Sequence, residues 1–133
     1  MRAEPAGSSC VERKTKQRDA IKEVMLHTAR PLGPQEILDA AAGSVPNLGI
    51  ATVYRAIKEL LAEGFLSKVE MPGEPARYER ADLKHHHHFH CRSCGKVYDI
   101  AGCPGNLANA APKGFKVESH ELLLFGVCDR CDK

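Results

Sequence analysis

A chain of 133 residues with 19 Lys and Arg against 17 Asp and Glu has a net charge of +2, too small to name a partner by itself. No stretch of about 18 apolar residues occurs, which excludes a transmembrane helix. No apolar segment follows Met1-Arg2-Ala3-Glu4-Pro5, which points to a cytoplasmic protein whose six cysteines serve as metal ligands rather than bridges.

Residues 1–10, rich in Ala, Gly, Ser and Pro, read as a disordered tail, with Cys10 a bystander. From Glu12 to about His27, the residues Ala20, Ile21, Val24, Met25 and Thr28 recur at helical spacing and predict a first helix. The same region carries Arg13, Lys14, Lys16, Arg18, Lys22 and Arg30 against Glu12, Asp19 and Glu23. Such a basic segment suits phosphate, and it equally suits an ordinary solvated helix face. Pro31, Gly33 and Pro34 stop this helix. Pro34 opens a second one, with Ile37, Leu38 and Ala41 inward and Gly43 just past its end.

The turn Pro46-Asn47-Leu48-Gly49 leads into a third helix from about Ile50 to Glu63, ended by Gly64. Val53, Ile57, Leu60 and Leu61 make one buried stripe, and Thr52, Tyr54, Arg55, Lys58 and Glu59 lie off it. Phe65–Glu70 and Ala76–Glu79, around Met71-Pro72-Gly73-Glu74-Pro75, predict a hairpin. Three short helices and then a hairpin is the order of a winged helix-turn-helix, whose third helix enters the DNA major groove. The hydroxyl, phenol and cationic groups of Thr52, Tyr54, Arg55 and Lys58 suit bases and phosphates there. A winged helix used only for protein contacts is the competing reading.

The organisation expected is a winged-helix unit over residues 11–80, a hinge at 81–84 and a metal-binding unit over 85–133. The last opens on His85-His86-His87-His88-Phe89-His90-Cys91-Arg92-Ser93-Cys94 and ends on Cys128-Asp129-Arg130-Cys131. Two Cys-x-x-Cys pairs separated by a foldable segment are what a tetrahedral zinc site needs, and they assign a structural zinc to Cys91, Cys94, Cys128 and Cys131. The rival readings are two disulfides or a thioredoxin-like pair, and neither a secretory signal nor a βαβ pattern accompanies them. If residues 85–90 form a strand, His86, His88 and His90 face one way and His85, His87 and Phe89 the other. One ion could then be held on each side, unless the run is a solvated polar strand. A strand is expected at Lys96–Ile100, one helical turn at Asn106–Ala111 and a half-buried strand over Phe115–Phe125.

Taken together, the chain resembles the ferric uptake regulator family over about residues 13–131. The motifs that carry the resemblance are Thr15-Lys16-Gln17-Arg18, Gly49-Ile50-Ala51-Thr52-Val53-Tyr54-Arg55, Arg77-Tyr78-Glu79, the histidine run into Cys91-Arg92-Ser93-Cys94-Gly95-Lys96, Gly114-Phe115-Lys116-Val117 with Ser119-His120, and Cys128-Asp129-Arg130-Cys131. The resemblance implies an α+β homodimer: a winged helix-turn-helix followed by a small α/β dimerisation domain with a Cys₄ zinc site. It implies repression at A/T-rich palindromes in double-stranded DNA, under control of a regulatory metal between the domains. Tyr54 and Arg55 would contact bases and phosphates, with a basic residue near Lys14 or Lys16 reaching the backbone or minor groove.

The implied regulatory ligands are Glu79, His86, His88 and Asp99, and His85, His87 and His120 match an additional family site. Imidazole with carboxylate suits zinc or iron(II), with manganese and nickel as further choices. Neither a membrane nor a small-molecule substrate is expected. Three departures stand out. Arg30-Pro31 occupies the place where the family often has a ligand histidine. The segment from Asp99 to Gly114 is short, with Cys103 and Asn106 where an acidic ligand is usual, so Cys103 is either a ligand or incidental. The peroxide-sensing branch relies on the missing His and on an Asp where Glu79 stands, which argues against that branch. Other readings are a metal-insensitive architectural DNA binder and a zinc-dependent hydrolase. No His-Glu-x-x-His helix supports the latter.

Overall fold

The computed structural model describes residues 6–103, 105 and 107–132, with side chains from Thr15 onward. The chain divides into two compact units, Met1–Ala81 and Asp82–Lys133. No helix among the described residues is long and apolar enough to cross a membrane.

The first unit contains α1 (Ala6–Leu26), α2 (Pro34–Ala41), α3 (Ile50–Ala62), β1 (Leu66–Val69) and β2 (Arg77–Arg80). Helix α1 starts inside the stretch read from sequence as a disordered tail. The remainder of that stretch, residues 1–5, and the side chain of Cys10 lie outside the described residues. Pro34 sits in the first turn of α2, where its missing N–H costs nothing, and the Glu36 carboxylate accepts the Gly33 N–H at 3.0 Å. Along α3, Val53, Ala56, Ile57 and Leu60 are buried, while Leu61 is only half-buried. The inward stripe is thus shifted by one small residue from the expected one, because Ala56 fits where the helices approach.

The end of α3 is held by two bonds, Phe65 N–H to the Leu60 carbonyl at 2.9 Å and Gly64 N–H to the Leu61 carbonyl at 3.1 Å. Gly64 takes φ +83°, which a side chain would strain. The chain then turns into β1, which pairs antiparallel with β2, Leu66 opposite Arg80 and Val69 opposite Arg77. Leu32 adds a bridge to Tyr78 through two backbone bonds of 2.9 and 2.8 Å. Ile21, Met25, Leu32, Ile37, Ala41, Val53, Ala56, Ile57, Leu60 and Leu66 form one continuous apolar core. Leu60 is completely buried within it, so Leu60→Ala is expected to lower the stability of this unit by ~2–5 kcal/mol, read as a fall in the urea midpoint.

The second unit is a three-stranded sheet of order β4-β3-β5, from β3 (His86–Cys91), β4 (Val97–Ala101) and β5 (Leu123–Gly126). Strands β3 and β4 form an antiparallel hairpin with His88 opposite Asp99. Strand β5 runs parallel to β3, His88 opposite Leu123 and Cys91 opposite Gly126. A Cβ at position 126 would stand 3.0 Å from the Phe89 ring, so any larger residue there would have to push that ring aside. A 3₁₀ turn spans Leu107–Ala110. The strand expected over Phe115–Phe125 is confined to Leu123–Gly126. Phe115 is 70 % exposed, and residues 115–122 have no ladder partner among the described residues.

Candidate metal centres

The parallel pairing of β3 and β5 decides where the cysteines meet. Both strands end on the same side, Cys91 opposite Gly126, and Cys128 follows two residues later. Each pair then closes a tight turn: Gly95 N–H donates to the Cys91 carbonyl at 2.9 Å, and Cys131 N–H donates to the Cys128 carbonyl at 3.1 Å. The four sulfurs lie within 4.8 Å of one another, with Cys94 and Cys128 at 3.9 Å. Tetrahedral zinc with thiolate bonds of about 2.3 Å separates its sulfurs by about 3.8 Å. All four thiols are free, which sets aside the two-disulfide reading.

The electrostatics of the cluster call for a cation. Backbone N–H groups of Cys94 (3.4 Å) and Cys128 (3.3 Å) point at the buried Cys91 sulfur and draw its pKa down to about 6. Ser93 draws Cys131 downward too, yet the neighbouring Cys128 sulfur and burial outweigh it and leave that thiol at about 11. Four thiols this close cannot all ionise beside one another without a positive charge, and a zinc ion removes the conflict. Tyr98 on β4 hydrogen-bonds Cys128, which with burial pushes the phenol up to about 12. Sequence reasoning missed this residue. An aromatic in a strand reads as core, and only the hairpin carries it over the cysteines.

One face of β3 presents His86 and His88, their rings 4.8 Å apart between centroids. Asp99, opposite His88 on β4, places Oδ1 3.6 Å from His86 Nε2 and 3.4 Å from His88 Nε2. The His86 Nδ1–H donates to the Lys84 carbonyl at 2.6 Å, which leaves Nε2 with its lone pair toward Asp99. Two imidazoles and a carboxylate fit a divalent cation of borderline hardness. His90, two residues further on, is buried and packs edge-on against Phe125.

The opposite face presents His85 and His87, with His120 beside them as the resemblance implied, and the fold brings Cys103 into the same group. Cys103 Sγ stands 3.0 Å from His85 Nε2, 3.2 Å from His87 Nε2 and 3.2 Å from His120 Nε2. His120 Nε2 is 3.1 Å from that of His85 and 3.2 Å from that of His87. Each imidazole nitrogen has one in-plane position, a hydrogen or a lone pair, so hydrogen bonds cannot satisfy so many mutual contacts. A cation at the centre satisfies all four at once. Burial first, then neighbouring His85 and His120, hold His87 below its ordinary pKa, in the neutral form that binds metal.

In the first unit, Glu79 is buried on β2 opposite Ser67. Arg30, at the place where a further histidine is often found, pairs with Glu36 at 2.8 Å. Exposed His27 turns its Nδ1 to the Glu23 carbonyl at 2.9 Å. On α3, Tyr54, Arg55 and Lys58 are exposed, and Thr52 is half-buried and accepts a bond from Arg55 at 3.1 Å. On α1, Lys16 is exposed, whereas Arg18 pairs with Glu63 at 3.0 Å and Glu59 at 3.6 Å, tying α1 to the end of α3. The Lys14 side chain lies outside the described residues.

The ferric uptake regulator family profile matches residues 11–125. The peroxide operon regulator of Bacillus subtilis is 32% identical over 124 residues, spanning 90% of this chain and 83% of that protein. A ferric uptake regulation protein of Helicobacter pylori is 31% identical over 122 residues, spanning 90% and 81%. The structure of the Helicobacter pylori ferric uptake regulator, with its three functional metal binding sites, aligns at TM-score 0.70 and 28% identity over 100% of this chain and 98% of that one. Sequence, fold and the ligand clusters agree, and the chain belongs to the ferric uptake regulator family, metal-responsive transcription regulators rather than zinc enzymes.

Proposed function

We propose that this protein is a cytoplasmic repressor that binds operator DNA as a homodimer when His86, His88 and Asp99 hold a regulatory metal, with Glu79 as a further ligand. The observation that carries this reading is the His86–His88–Asp99 cluster, two imidazole Nε2 atoms 3.6 and 3.4 Å from one carboxylate oxygen. The metal is zinc or iron(II) ahead of manganese or nickel, because imidazole dominates the donor set. A structural zinc in the Cys91, Cys94, Cys128 and Cys131 cluster accompanies it. Tyr54, Arg55, Lys58 and Thr52 on α3, with Lys16 and Lys14 on α1, form the DNA face. Arg18 serves that face indirectly, by bracing α1 against α3. Dimerisation through β5 is supported by its position at the edge of the sheet and by exposed Leu124, Phe125 and Val127. Metal acts by linkage: it shifts the dimer toward the DNA-competent state by as much as it prefers that state.

The test is fluorescence anisotropy with the upstream region of the protein's own gene. Protein retaining only its structural zinc is titrated separately with zinc, manganese and anaerobic iron(II). A gain in affinity with one metal establishes the switch and its effector. In the metal-bound state, Tyr54→Ala or Arg55→Ala is expected to weaken binding by ~5–150-fold. The Arg30–Glu36 ion pair favours a second reading, a DNA binder insensitive to the regulatory metal, because it occupies the place of a ligand. Equal DNA affinity with and without every metal would select that reading.

A further inference from the structure

The two faces of β3 differ in chemistry. His86, His88 and Asp99 offer two nitrogens and an oxygen, whereas His85, His87, His120 and Cys103 offer three nitrogens and a sulfur. Thiolate is the softest donor a side chain provides, so the second set favours zinc over manganese or iron(II). Its edges of 3.0–3.2 Å are a few tenths of an ångström shorter than the about 3.3–3.6 Å of a tetrahedral zinc site with three imidazoles and one thiolate. A slight expansion around the ion makes up the difference.

Accessibility is uneven within this set. His87 is 2 % exposed and His120 half-buried, while Cys103 is exposed. A cleft of about 320 Å³, lined by Cys103, Leu107, Val117, Ser119 and His120, opens onto the sulfur. The cleft offers room for a small polar oxidant beside the one ligand that can be oxidised reversibly.

We propose that His85, His87, His120 and Cys103 form a zinc site with a redox release, in which hydrogen peroxide entering the cleft oxidises the Cys103 sulfur and the ion departs. In this step the thiolate attacks one peroxide oxygen. The S–O bond forms and the O–O bond breaks, the sulfur loses two electrons, and the other oxygen leaves as water carrying both protons. Thiolate and hydrogen peroxide thus become sulfenate and water. The sulfenate is a poorer zinc ligand, and three imidazoles on a partly exposed site hold the ion less tightly. A thiol reductant restores the cysteine and the site. This route runs through sulfur, and needs neither a histidine at position 30 nor an aspartate at position 79.

The experiment uses full-length protein loaded with zinc, hydrogen peroxide as oxidant, and a chromophoric chelator to read zinc release. A sulfenate-trapping dione with peptide mass mapping reads the state of each cysteine. One zinc per chain is expected to leave at least ~10-fold faster with peroxide, in step with trapping at Cys103, and to rebind after reduction. Cys103→Asp, which keeps an anionic ligand without sulfur, is expected to lose the acceleration. Equal acceleration in Cys103→Asp would place the reactive sulfur in the other cluster and overturn the proposal. So would zinc loss without Cys103 trapping, or unchanged zinc stoichiometry and affinity in Cys103→Ala. The readout is zinc rather than DNA, so its failure and the failure of the regulatory reading are separate results.

Discussion

Serine in place of Cys94 is expected to remove one zinc per chain and to unfold the sheet of the second unit while leaving the first unit folded. The asymmetry follows from where the cores lie. The first unit buries ten apolar side chains in one cluster. In the second, the buried side chains among the described residues are Val97, Cys91, Cys128, His87 and His90, so the cysteine cluster stands where a hydrophobic core would be. Structural zinc in small thiolate sites supplies ~10–16 kcal/mol at neutral pH, as much as the whole stability of a typical domain. Elemental analysis reads the zinc, and hydrogen exchange by mass spectrometry reads each unit separately. Protection of β3, β4 and β5 that survives in zinc-free Cys94→Ser would show that strand pairing, not metal, holds this unit. Chelation of the wild type should reproduce the variant, with protection returning on zinc addition.

His88→Ala is expected to erase the dependence of DNA affinity on metal. A coupling of ~1–3 kcal/mol gives wild-type protein a gain of ~5–150-fold on binding the regulatory ion. His88 and Asp99 face each other across the β3–β4 ladder, so removing the imidazole takes away one of the two nitrogens and leaves the Asp99 carboxylate without its nearer partner. The affinity measured without metal is the reference, and the variant's titration should stay within ~2-fold of it. His86→Ala and Glu79→Ala extend the series. A full metal response in all three would remove this cluster from the switch and shift attention to the opposite face of β3.

Much of this was legible in the chain because its signals are local. Helical spacing located all three helices, and Gly64 marked the end of the third. Strand parity by itself separates His86 and His88 from His85 and His87, since alternation is a property of the extended backbone itself. Local signals also misled where pairing decides the outcome. The alternation in Phe115–Phe125 did not yield a strand upstream of Leu123, because β3 offers β5 a short parallel edge.

By itself, then, the sequence determined the cysteine pairs, the order of helices and wing, and the two-sided histidine strand. These depend on residue type and short spacing. The resemblance already grouped His120 with His85 and His87, and the tertiary structure alone decided that Cys103 joins them, that Tyr98 reaches Cys128, and that Arg18 turns to Glu59 and Glu63. Those meetings depend on the parallel return of β5 alongside β3, on the β3–β4 hairpin and on the packing of α1 against α3. Each brings together residues whose separation along the chain carries no periodic trace of their contact.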